Sequence, residues 1–130
     1  MRDLVNNIGP YQALAPAVYS GTSAGLGVDL QGFESATIVI ETGAIVGAGN
    51  YTASIEESDT GLDSPEDFDA VAAGDLIGTL PETLEEYSTY KIGYRGHQPY
   101  VRVVLTKNSG TSIAVAATVV RGHPHEAPVA

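Results

Sequence analysis

The sequence predicts an all-β domain: an antiparallel β-sandwich or partly open barrel of about seven short strands with extended termini. Three observations carry that expectation. Apolar residues recur with period two in the C-terminal third, the spacing that turns one face of a strand to a core. Clusters of Gly, Pro, Asn and Ser punctuate the chain at intervals of about ten residues. No stretch holds the i, i+3, i+4, i+7 apolar spacing over the dozen residues that a core helix needs.

In chain order, residues 1–20 carry Pro10 and Pro16 among scattered apolar residues (Leu4, Val5, Ile8, Tyr11, Leu14, Val18) with neither alternation nor a helical stripe. Proline removes a backbone donor and restricts its predecessor, so this segment is expected to be extended and irregular. It is too apolar for a solvated tail: either it packs along its own domain or it lies as an arm across a neighbour. A short strand is expected over 27–31 and a β-branched one over 35–42. The glycine-rich residues 43–49 read as a flexible connection to a strand over 50–57. Residues 68–71 and 76–78 are weaker strands, and 81–86 has room for one helical turn. Alternation is clear over 90–95, 101–106 and 113–120, with Gly96-His97-Gln98-Pro99 and Lys107-Asn108-Ser109-Gly110 read as hairpin turns. The organisation is then an arm over 1–20, a β domain over 21–121 and a proline-broken tail over 122–130.

Composition sets the outer limits. A chain of 130 residues with 43% apolar content suits one domain with a real core. It holds no cysteine, so any metal site would rest on histidine and carboxylates. No apolar run is long enough to span a bilayer, and Met1–Asn7 lacks the basic start and apolar stretch of a signal peptide. Synthesis in the cytoplasm and no membrane partner are expected. The net charge of −10 argues against nucleic acid, where binding rests on Lys and Arg displacing counterions. Residues 1–90 hold 15 acids and one base, Arg2, whereas residues 91–130 hold five bases and one acid. That polarity either keeps the protein soluble or steers a basic sheet face onto an acidic neighbour.

Tests for chemistry find little. His123 and His125 flank Pro124 in the tail with no third ligand fixed nearby, and His97 sits in a turn. Among the acids Glu56, Glu57, Asp59, Asp63, Glu66, Asp67 and Asp69, Asp67 and Asp69 have the spacing of a calcium loop, but Pro65 and Ala70 disturb the rest of its pattern, so a solvated loop is expected. Carboxylate pairs for glycoside hydrolysis want an aromatic cleft, and the chain has no Trp and two Phe. Ser20, Ser23 and Ser112 lie outside any Gly-x-Ser-x-Gly elbow, and the 43–49 glycines lack the Lys-Ser/Thr of a phosphate loop. The expectation is a protein that is not an enzyme and takes no cofactor. More informative are Tyr87, Tyr90, Tyr94 and Tyr100, expected to cluster with Lys91, Arg95 and Arg102 on two adjacent strands. They are either half-buried strand residues or an interface, since Tyr and Arg bury area while keeping a polar handle.

Several stretches together resemble a family of small proteins encoded by tailed bacteriophages and prophages near the capsid genes. They are residues 3–10 (DLVNNIGP), 13–17 (ALAPA), 28–33 (VDLQGF), 41–44 (ETGA), 90–96 (YKIGYRG), 100–106 (YVRVVLT) and 122–124 (GHP). The resemblance spans nearly the whole chain and is weakest over 57–86. It implies a structural component of the virus head, a decoration or cement protein bound outside the shell of the major capsid protein. Such proteins often sit as trimers, and dimers also occur. The contact residues expected on this reading are Leu4, Val5, Ile8, Tyr11 and Leu14 of the arm, with Tyr90, Lys91, Tyr94, Arg95, Tyr100 and Arg102 of the basic face. Rival readings are a head–tail connection or tail-tube component, and a virion-displayed carbohydrate-binding module.

Overall fold

A computed structural model describes residues 3–60 and 68–129. Ten strands form: β1 (Ile8–Tyr19), β2 (Ser23–Ala24), β3 (Val28–Asp29), β4 (Phe33–Val46), β5 (Asn50–Ser58), β6 (Asp69–Ala70), β7 (Leu76–Ile77), β8 (Thr89–Tyr94), β9 (Tyr100–Ser109) and β10 (Ser112–Pro124). Short 3-10 turns at Val5–Asn7 and Ala73–Asp75 are the helical elements among the described residues. The strands make two antiparallel sheets packed face to face, the sandwich of the two architectures expected.

The pairing is nested. The first strand pairs the last (β1·β10), β2 and β3 pair β9, β4 pairs β8, and β5 pairs β6. This long antiparallel ribbon is rolled so that β10 also pairs β4, and β9 also pairs β5. The sheets therefore read β1-β10-β4-β8-β7 and β2-β9-β5-β6, with β3 beside β9. Such a rolled ribbon is a jelly roll.

Alternation builds the core as expected. Ile38 and Ile40 of β4, Val101, Val103 and Leu105 of β9, and Ile113, Val115 and Val119 of β10 are buried between the sheets. Each such side chain contributes about 1.5–3 kcal/mol on leaving water. Tyr51 is fully buried, with its hydroxyl within hydrogen-bonding distance of the Tyr19 and Thr111 carbonyls at 3.1 and 3.3 Å.

The structure corrects several local expectations. Both turns read as hairpins carry the chain between sheets, because β8, β9 and β10 alternate between them. Turn residues report that the chain reverses, and the reversal serves an arch as well as a hairpin. Residues 43–46 belong to β4, where Gly43 lies at a register shift against β10 and a Cβ there would come within 3.1 Å of Ala114. Residues 81–86 make no helical turn: Leu84 plugs the core, its N–H bonded to the Tyr51 carbonyl, and Thr52 bonds the Glu82 carbonyl.

The arm and tail are parts of the sheet. Residues 8–19 form β1, and Ala13 and Leu14 sit in the core. Register shifts on either side of Leu14 break the alternation, which is why the sequence shows no period there. Pro10 and Pro16 are tolerated because β1 is an edge strand. The tail is pinned too, its His125 N–H on the Gly32 carbonyl and its Val129 N–H on the Asn6 carbonyl.

Candidate functional site

The distribution of charge over the sandwich singles out one side. Residues 4–28 contain no Asp, Glu, Lys or Arg, in a chain where 17% of residues are charged. They form the first 3-10 turn, β1, β2 and the first residue of β3, whose second is the exposed Asp29; β1 is the edge of one sheet and β2 and β3 the edge of the other. The two edges meet so closely that a Cβ on Gly25 would overlap the Ala13 carbonyl oxygen. This side exposes Leu4 (58%), Val5 (76%), Tyr11 (52%), Val18 (69%) and Leu26 (65%). Apolar side chains exposed near one another make this side the candidate for a contact surface. Strand addition is blunted there by two prolines and two register shifts, so contact through side chains is favoured.

The opposite side is acidic. Between residues 50 and 90 the described chain carries Glu56, Glu57, Asp59, Asp69, Asp75, Glu82, Glu85 and Glu86 and no Lys or Arg. Three of these acids are engaged internally, Glu86 by the Ile45 N–H at 3.3 Å and two more firmly. Glu56 sits across the ladder from Arg102, which is 8% exposed; the guanidinium meets Glu56 Oε1 at 2.5 Å and stacks 4.3 Å from the Phe68 ring centroid. Glu57 accepts a hydrogen bond from the Tyr94 hydroxyl at 2.6 Å, and that hydroxyl accepts from the Gln98 N–H at 3.1 Å. Burial first, then the Glu57 hydrogen bond and the charges of Glu57 and Asp75, hold the Tyr94 hydroxyl well above the ordinary tyrosine range.

The basic Tyr/Arg face expected from the sequence is therefore not one surface. Strands β8 and β9 lie in different sheets, so their residues are not lateral neighbours. Tyr94 and Arg102 are buried, Tyr90 packs on the core with its hydroxyl accepting from the Glu85 N–H, and Tyr100 is half-buried. Leu14 is likewise a core residue and Ile8 is half-buried. Of the expected contact residues, Leu4, Val5, Tyr11, Lys91 and Arg95 are exposed. The sequence shows the charge-free run, but the exposure of Val18 and Leu26 within it follows only from the fold.

Lys91 and Arg95 stand on a second feature. An open groove of about 840 Å³ crosses the ends of β4, β7 and β8, lined by Phe33, Glu34, Ile77, Lys91, Arg95 and His97 among others, with the Glu34 carboxylate held by His125. The remaining histidines are engaged: His123 Nδ1 lies 2.8 Å from Ser35 Oγ, and His125 Nε2 lies 2.6 Å from Glu34 Oε1. Among the described residues no three His, Asp or Glu side chains gather as metal ligands. Asp63, Glu66 and Asp67 of the acidic stretch fall outside the described residues.

No protein-family model and no curated protein matches this chain. One of the solved structures similar to it is that of infectious bursal disease virus, Gx strain. The two share 14% identity at a TM-score of 0.49, over 93% of this chain and 35% of the other. The chain thus spans about a third of that neighbour's length.

Proposed function

We propose that this chain is a structural protein of a tailed-phage head, a decoration protein that binds the outside of the major capsid shell through its charge-free side. The observation that carries the reading is that side: five apolar side chains at least half exposed on 25 residues without a charge, in a chain of net charge −10. Charge is depleted at the centre of protein interfaces, where desolvating it is costly. The acidic remainder suits the solvent-facing surface, where like charge keeps particles apart. The partner class follows from the resemblance of seven stretches to small phage proteins encoded near the capsid genes. On a symmetric shell, many copies turn a modest single contact into a large total.

The test is co-sedimentation of the purified chain with phage heads that lack it. Saturable binding is expected, and combined Tyr11→Ser, Val18→Ser and Leu26→Ser substitutions are expected to weaken it by about 100-fold or more. Recovery with tails and not heads would move the protein to the head–tail connection or tube. Binding to neither, or full binding by the triple variant, would overturn the reading.

A further inference from the structure

The groove over β8 is separate from the charge-free side and has a chemistry of its own. Lys91, Gly93 and Arg95 alternate along one face of β8, opposite in parity to the buried Ile92 and Tyr94. Both cations are exposed, and neither forms a salt bridge among the described residues. Arg95 is nevertheless held in place, since its Nε–H bonds the Gly74 carbonyl at 3.0 Å and its backbone N–H the Asp75 carbonyl at 2.8 Å. A fixed guanidinium loses less freedom on binding an anion than a mobile one.

Between the two cations, Gly93 leaves the floor of the groove bare. A Cβ there would stand 3.1 Å from Ile77, which forms the neighbouring wall. Strand β7 pairs β8 only at Gly93 and Tyr94, so the β8 edge from Thr89 to Ile92 has no strand partner among the described residues. An unpaired edge accepts an extended chain. A lysine on that edge keeps identical edges apart and favours an acidic one.

We infer that the groove binds an extended acidic peptide segment of a partner protein, its backbone along the free β8 edge and its carboxylates on Lys91 and Arg95. Lys91 and Arg95 stand four residues apart on one face, so the chemistry selects carboxylates four residues apart, which an added strand also turns to one face. Strand pairing supplies a sequence-independent part of the affinity and the two cations supply the selection. The inference stands on residues that play no part in the charge-free contact.

Fluorescence anisotropy with a fluorescein-labelled hexapeptide alternating Glu and Val tests it, with the Gln–Val peptide as control. The acidic peptide is expected to bind and the control at least about tenfold more weakly. Lys91→Gln and Arg95→Gln are expected to weaken binding about three- to tenfold each, with circular dichroism unchanged because both side chains are exposed. Raising salt is expected to weaken it further. Equal binding of the control peptide, no loss in the double variant, or no binding of the acidic peptide would each overturn the inference. So would a sulfated polysaccharide that binds the groove where the peptide does not.

Discussion

Along one side of the sandwich, residues 4–28 run through β1 and β2 to Val28 of β3 without a charge, while on the other residues 50–90 hold eight described acids and no base. The chain reads as acidic then basic along its length, yet the fold arranges it as neutral against acidic. Of the bases of the last third, Lys91 and Arg95 stay exposed along β8 and two others are drawn inward. Arg102 is buried against Glu56, and Arg121 bonds the Gly9 and Asp29 carbonyls while stacking 4.6 Å from the Phe33 centroid. The two sides are left with opposite characters. The acidic side is held by polar contacts within the molecule, and the neutral side leaves Leu4, Val5, Val18 and Leu26 exposed, with Arg121 5.5 Å from the Tyr11 ring centroid at its border.

That contrast sets how each side responds to substitution. The largest loss is expected on the acidic side. Glu56→Ala strands the Arg102 guanidinium beneath Phe68, at a cost of about 3 kcal/mol in urea unfolding. Leu14→Ala, at the inner anchor of β1, is expected to cost about 2–3 kcal/mol by the same measurement, since a buried leucine leaves a cavity. The equal importance of both edges for the fold would then be plain, whatever their surfaces do.

Tyr94 sharpens the comparison through pH. Its raised pKa means that the folded protein keeps a proton that the unfolded chain releases near pH 10. Stability is therefore full below that pH and falls as pH climbs above it. Tyr94→Phe is expected to cost about 1–2 kcal/mol at neutral pH, as the Gln98 N–H and Glu57 lose a partner. It should also flatten the alkaline decline, measured by thermal unfolding between pH 8 and pH 11. The smallest change in stability belongs to the neutral side. Tyr11→Ser, Val18→Ser and Leu26→Ser are each expected to shift stability by no more than about 0.5 kcal/mol, because all three side chains are exposed.

The sandwich class was legible because β8, β9 and β10 keep strict alternation, and Ile92, Val103 and Val115 fall inside as the period requires. What period two does not encode is the partner strand. The turns at 96–99 and 107–110 look like hairpins and serve as arches, so the Tyr/Arg cluster drawn across β8 and β9 came apart between two sheets. The N-terminal strand was obscured by its own register shifts around Leu14, which erase alternation while keeping the pairing with β10. The exposed side was readable in part: Leu4, Val5 and Tyr11 were expected contacts, whereas Val18 and Leu26 needed the meeting of β1 with the β2–β3 edge to join them.

Hydrogen–deuterium exchange on the chain bound to phage heads tests the central claim most directly. Protection confined to residues 4–28, with residues 50–90 exchanging as in the free protein, is the predicted result. Protection over 50–90 with residues 4–28 unchanged would contradict it.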